Sequence, residues 1–173
     1  MRAKGGAVLT VRRAGSNDAT ALVALAEQVA REEGGWILTT DAWRSVGEER
    51  RYLRAARRHP DAAVFVAEVE GAVVARLSLS RDPHPSSRHV ADLGIMVAVS
   101  HRGQGIGRRL LEEAVGWART SGILKLELHV FPWNEPALRL YESFGFEREG
   151  YRKHHYERDG EYVDAILMAY RMD

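Results

Sequence analysis

Six residues, Arg102-Gly103-Gln104-Gly105-Ile106-Gly107, stand between an apolar run from Asp92 to Val99 and a segment where Ile106, Leu110, Ala114 and Trp117 recur at helical spacing. A glycine-rich turn where a strand enters a helix leaves backbone N–H groups without intrahelical partners and aims them outward. The chemistry this suits is binding of an anion, phosphate above all. Arg102, Arg108 and Arg109 add positive charge around the turn. A ligand-free strand–helix connection would use the same glycines, so spacing has to identify the kind of phosphate binder. A Walker loop needs Lys-Ser or Lys-Thr after its glycines, and neither follows here. A dinucleotide fingerprint needs Gly-x-Gly-x-x-Gly. Counted from Gly103 the last position is Arg108, and from Gly105 it is Leu110.

The turn needs a scaffold, and the rest of the chain reads as one. Ala7 to Val11 is a strand. Ser16 or Asn17 caps a helix with Leu22, Leu25, Ala26 and Val29 on its apolar face, ended by Gly34-Gly35. Trp36-Ile37-Leu38 is a short connector. Thr40 or Asp41 opens a second helix through Arg58, with Trp43, Val46, Leu53 and Ala56 as its packing face, and His59-Pro60-Asp61 stops it. Ala63 to Val69 and Ala72 to Leu79 form a hairpin around Glu70-Gly71, followed by an exposed loop, Asp82 to Ser87. After the strand from His89 to Val99 and the helix to Thr120, Leu124 to Val130 alternates as a strand. Asn134 caps the next helix, whose first turn tolerates Pro136. Phe146 to Glu157 and Glu161 to Met172 pair through Asp159-Gly160. The order βααβββαβαββ predicts one α/β domain over residues 1–173: a mixed, twisted sheet of about seven strands with helices on both faces.

A second motif lies downstream of the turn. Asn134-Glu135-Pro136-Ala137 leads to Leu140-Tyr141-Glu142 and Gly145-Phe146. Together with Arg102-x-x-Gly105-x-Gly107, it resembles the GNAT superfamily of N-acetyltransferases. Arg158-Asp159-Gly160-Glu161-Tyr162-Val163-Asp164 resembles the small amino-acid and ribosomal-protein acetyltransferases of that superfamily. The resemblance spans Ala62 to Met172. It departs from the family before the loop, where Val99-Ser100 replace a frequent Pro-Asp.

The resemblance implies a GNAT-like fold, which the element order matches, and direct acetyl transfer from acetyl-CoA to a primary amine. It places the pyrophosphate on the loop Arg102, Gly103, Gln104, Gly105, Ile106, Gly107 and Arg108. It runs the pantetheine arm beside Met96, Val97 and Val99, with the Val97 N–H polarising the thioester carbonyl. Tyr141 is the expected general acid, although helical periodicity alone would make it a packing residue. Asn134 is an ideal cap and in the family also reaches the cofactor. The base is drawn from Asp92, Glu127 and His129, with Asp92 preferred because a carboxylate also orients an incoming ammonium. Glu32, Glu33 and Trp36 fall where the family walls its acceptor pocket. The expected acceptor is a small amine or amino acid. A protein N-terminus is the alternative, and a non-catalytic acetyl-CoA-binding sensor is the alternative from another class.

Bulk properties narrow the field. Apolar residues make up 45% and charged residues 28%, as in ordinary soluble domains. The net charge of +1 gives no support to nucleic-acid binding, and the Arg50–Arg58 cluster reads as a solvated face. With no cysteine, disulfides, zinc–thiolate sites and a cysteinyl-acetyl intermediate are excluded. His154-His155 lacks the spacing of a metal site, so no metal is expected. The first apolar run breaks at Arg12-Arg13, too soon for a signal peptide, and no run approaches a membrane span. A cytoplasmic protein is expected. The open edge of the last hairpin is compatible with a homodimer.

Overall fold

The computed structural model describes residues 8–35 and 43–172. The strands are β1 (Leu9–Arg13), β2 (Ala62–Val69), β3 (Ala72–Arg81), β4 (Val90–Val97), β5 (Lys125–Val130), β6 (Glu147–Arg158) and β7 (Glu161–Arg171). The helices are α1 (Ala19–Ala30), α2 (Val46–Arg58), α3 (Ile106–Thr120) and α4 (Glu135–Phe144). The order of elements is the one expected. The strands form one sheet in the order β1-β2-β3-β4-β5-β7-β6. Among the described residues only β4 and β5 run parallel, and their pairing stops at Asp92 opposite Glu127. Beyond that rung the two strands part, which opens the middle of the sheet.

The helices cover the two faces. α1 and α2 pack on each other and over the β2–β4 region, while α3 lies across β1 to β4 with α4 beside it. Leu110, Leu111, Ala114 and Ala118 of α3 are buried against Ala75, Leu77 and Leu79 of β3. Among the described residues, no helix is long and apolar enough to cross a membrane.

Several boundaries differ from the sequence reading for local reasons. Ser16–Asp18 is a short 3-10 turn, and Asp18 does the capping. Its carboxylate accepts from the Gly15 N–H at 2.7 Å and is held by Arg12. That guanidinium and the Gly15 N–H hold the Asp18 carboxyl below its usual range. α2 starts at a capping box: Ser45 Oγ accepts from the Glu48 N–H, and the Glu48 carboxylate accepts from the Ser45 N–H. Trp43 therefore precedes the helix. Thr40, Asp41, the Trp36–Leu38 connector and Ala7 lie outside the described residues. β4 ends at Val97 because Val99–His101 turns into a 3-10 segment. Leu124 continues the alternation of β5 by sequence only, and it is exposed.

Candidate active site

The glycine turn sits where β4 hands over to α3. Gly103 and Gly105 both have positive φ, 69° and 84°, a region glycine enters without a Cβ clash. The first intrahelical bond runs from the Arg109 N–H to the Gly105 carbonyl. The N–H groups of Ile106, Gly107 and Arg108 precede it in the helix and have no intrahelical acceptor. A Cβ on Gly105 would meet nothing within 4 Å, so the space in front of these amides is open. At Gly107 the reason for glycine differs: a Cβ would lie 2.7 Å from Leu140 Cδ2, where α3 approaches α4.

These amides border a cleft of about 600 Å³. It brings together Met96, Val97, Arg102, Gly103, Gly105, Ile106, Gly107, Arg108, Asn134 and Tyr141. Val99 and Gln104 are not part of that lining. Val99 belongs to the 3-10 turn, and the Gln104 side chain donates back to the Ser100 carbonyl. Asp92 also lies outside it. Ile95 lines the cleft and was not anticipated.

The three arginines expected to charge the turn are mostly committed elsewhere. Arg109 pairs with Glu112 and Glu113 along its own helix. Arg102 Nη1 pairs with Glu32 at 2.6 Å, and its Nε donates to the Val97 carbonyl at 2.9 Å. Arg108 stacks over Phe144 and donates to the Ser143 carbonyl, with no carboxylate partner among the described residues. The attraction for an anion therefore comes chiefly from backbone amides.

Strand pairing decides which backbone groups of β4 are available. The Ala98 N–H donates to the Val74 carbonyl, so Ala98 and Val74 form a hydrogen-bonded antiparallel pair. By alternation Val97 and Ala75 form a non-hydrogen-bonded pair, and Met96 exchanges its bonds with Arg76. Val97 thus directs its N–H and C=O away from β3, into the gap that β5 has vacated. The Arg102 contact to the Val97 carbonyl lies on that side. The backbone of Met96 is engaged with Arg76 of β3, and Ile95 shares the orientation of Val97.

Tyr141 stands on α4, whose start is capped by Asn134 Oδ1 accepting from the Ala137 N–H at 3.3 Å. The tyrosine is 7% exposed and packs on Phe146, and burial raises its phenol well above the ordinary value. It keeps its proton throughout the working pH range.

The base candidates lie on the sheet face that carries Arg76, Gly94 and Met96. Lys125 bridges Glu127 and Glu149 at 2.7 and 2.6 Å, so Glu127 is ion-paired. Asp92 has no ion-pair partner among the described residues. Its surroundings raise its carboxyl above the usual range, first by desolvation and then through Glu127 and Asp82. Along the strand Asp92 is five residues before Val97, roughly 16 Å. His129 is two residues beyond Glu127, past the last β4–β5 rung, and like Asp92 it lies outside the cleft lining. It stacks on His155 and meets the edge of Tyr156. Desolvation holds the imidazole below its ordinary value, with Arg152 and His155 adding to the effect. Its Nε2 is buried without a partner among the described residues.

The segment that follows α1 is tied to the C-terminal half of the chain by two hydrogen bonds. Trp133 Nε1 donates to the Gly34 carbonyl and Arg158 to the Gly35 carbonyl, each at 2.8 Å. Glu32 reaches the cleft's edge through its ion pair with Arg102. Trp36 lies outside the described residues.

Comparison with known proteins gives this arrangement a family. The acetyltransferase (GNAT) family profile matches residues 36–146. The L-amino acid N-acetyltransferase AaaT of Escherichia coli is 38% identical over 114 residues, which span 64% of this chain and 68% of that protein. The crystal structure of a ribosomal-protein-alanine N-acetyltransferase from Brucella melitensis superposes with a TM-score of 0.84 at 29% identity, covering 94% of this chain and 99% of that one. The acetyltransferase YncA from Salmonella typhimurium, solved with its cofactor acetyl-CoA, has the same fold, with a TM-score of 0.85 at 21% identity over 95% of this chain and 94% of that one. The chain belongs to the acetyltransferase (GNAT) family.

Proposed function

We propose that the protein transfers the acetyl group of acetyl-CoA directly to the primary amine of a small amine or amino acid. The observation that carries this reading is the row of bare amides at Ile106, Gly107 and Arg108, opening into a cleft that also holds Val97 and Tyr141. The cleft fits the cofactor: glycine leaves the room a Cβ would fill, and the donors suit a diphosphate. When bound there, acetyl-CoA supplies an activated thioester.

The chain's own residues take the remaining tasks. The loop amides and Arg108 bind the diphosphate, and Arg102 fixes the loop to β4 through the Val97 carbonyl. The Val97 N–H, unpaired by β3, is a preorganised donor for a carbonyl oxygen; such donors contribute about 3–4 kcal/mol in acyl transfer. Tyr141 holds a proton on its phenol oxygen and shares it by hydrogen bond with the sulfur as thiolate charge develops. The phenol remains protonated while the proton released by the amine neutralises the thiolate. Asp92, with no ion-pair partner among the described residues, draws the ammonium of the acceptor onto this face. His129 takes the proton from that ammonium at Nε2, through water; its buried Nε2 has no partner among the described residues, and burial favours the neutral imidazole. Asn134 caps α4 and thereby places Tyr141.

A thiol-release assay over free amino acids, simple amines and peptides tests the reading. Release of coenzyme A matched by N-acetyl product is the expected result. Tight cofactor binding without release on any acceptor would make the protein a sensor. Release with peptides alone would make it a protein N-terminal acetyltransferase, the activity named for the Brucella melitensis neighbour.

A further inference from the structure

A cluster on the acceptor face is not used by the reaction chemistry. Arg76 of β3 is 3% exposed, and its Nη1 donates to Glu49 Oε1 of α2 at 2.7 Å. Arg44 Nη1 takes the other oxygen, Oε2, at 3.0 Å. Glu49 itself is fully buried. Two guanidiniums therefore share one carboxylate. The neighbouring Glu48 is exposed and occupied by Ser45. The rings of Trp43 and Tyr52 flank both guanidiniums, with separations of 4.4 to 5.4 Å. Arg44 is partly open to solvent while Arg76 and Glu49 are buried, so the cluster holds more positive than negative charge, which favours a further anion.

Two independent observations point to a ligand. Arg76 has five donor hydrogens, and Glu49 is its only side-chain partner among the described residues. The buried Trp43 Nε1 beside it has no acceptor among the described residues. Trp43 Nε1 is a donor, so the partner it lacks is an acceptor, and the neighbouring guanidinium of Arg76 favours an anion there. Arg76 and Trp43 are outside the cleft lining, but strand pairing sets Arg76 next to it. Arg76 and Met96 are a hydrogen-bonded cross-strand pair, with Cα atoms about 5.5 Å apart and side chains on one face. Met96 lines the cleft, one residue before the Val97 amide.

We infer that Arg76, with Trp43, binds the carboxylate of the acceptor and so selects free amino acids over peptide N-termini and simple amines. An amino acid carries its carboxylate one carbon from the reacting nitrogen, whereas a peptide N-terminus has an amide there. The inference deepens the proposed acetyl transfer and rests on it for the identity of the reacting amine, but it can be tested without turnover.

The experiment pairs each free L-amino acid of a panel with its α-amide. Binding is measured by calorimetry on protein loaded with coenzyme A, and kcat and KM by thiol release. The variants are Arg76→Gln and the double variant Glu49→Gln/Arg76→Gln, which avoids leaving Glu49 without Arg76; thermal melting and acetyl-CoA affinity establish that each is folded. In the wild type at least one free acid should bind tenfold or more tightly than its amide, as expected for a lost charge-assisted hydrogen bond. The double variant should bring that ratio close to one through KM, with kcat little changed. Acid-selective binding lost in the double variant but without thiol release would uphold the carboxylate site and overturn the acetyl-transfer reading. Thiol release with acids and amides alike would do the reverse. A folded double variant that keeps the wild-type preference, or a panel that neither binds nor reacts, would overturn the inference.

Discussion

Replacing Gly105 by alanine separates the cost of backbone conformation from the loss of a ligand contact. Gly105 has φ 84° and ψ −1°, and a Cβ there would touch no protein atom within 4 Å. The penalty on the fold is therefore only that of forcing an L-residue into the left-handed region, about 1–2 kcal/mol. For a chain of this size that lowers Tm by roughly 2–4 °C per kcal/mol. Gly71, in the β2–β3 hairpin, is a matched control, with φ 82° and an equally empty Cβ position. The two alanine variants should lose similar stability in thermal unfolding. In acetyl-CoA calorimetry they should part: Gly71→Ala should bind like the wild type. Gly105→Ala should bind at least tenfold more weakly, about 1.4 kcal/mol, because its methyl occupies the space in front of the bare amides. Equal affinity in the two variants, with equal stability, would refute the placement of the diphosphate.

Other expectations concern the proton chemistry. Tyr141→Phe should lower kcat by roughly tenfold or more while leaving acetyl-CoA affinity and Tm near wild type; unchanged turnover would remove the phenol from the reaction. His129→Ala should lower kcat/KM by roughly 10²-fold. Since His129 must be neutral to accept a proton and burial depresses its pKa, wild-type activity should be lost on acidification below the ordinary histidine value of 6.5, and the variant should lack that limb. A limb that survives in the variant would assign the titration to another group. Asp92 has a carboxyl pKa raised in the fold, so its ionised form opposes folding above the unfolded pKa. Asp92→Asn should therefore raise Tm at pH 7, with the gain vanishing near pH 3, while KM for the amine increases. A lower Tm at pH 7 would contradict this.

What could be read from the sequence follows the range of the interactions involved. The glycine turn, the Asn134 cap and the Asp159-Gly160 hairpin depend on neighbours in the chain, so their residue types announce them. The order of elements followed from the same short-range signals. The start of α2 was also locally encoded, in the Ser45/Glu48 capping box, but Thr40-Asp41 offered an equally plausible earlier cap. Other features depend on registers that no local pattern contains. Val97 presents its amide to the cleft because Ala98 pairs with Val74. Arg102 is drawn off the turn by Glu32, and the Arg76–Glu49 pair joins a strand to a helix. His129 is set apart from Glu127 by its buried, unpartnered Nε2 and its stacking on His155, which depend on the distant last hairpin.

The central claim is that the amides opening α3 grip a diphosphate. Calorimetric titration with acetyl-CoA and, separately, with acetyl-pantetheine, which carries the same thioester arm without the diphosphate, tests it most directly. The account predicts one site for acetyl-CoA with affinity at least a hundredfold greater than for acetyl-pantetheine, about 2.7 kcal/mol. Equal affinity for the two, or no uptake of acetyl-CoA at millimolar concentration, would contradict it.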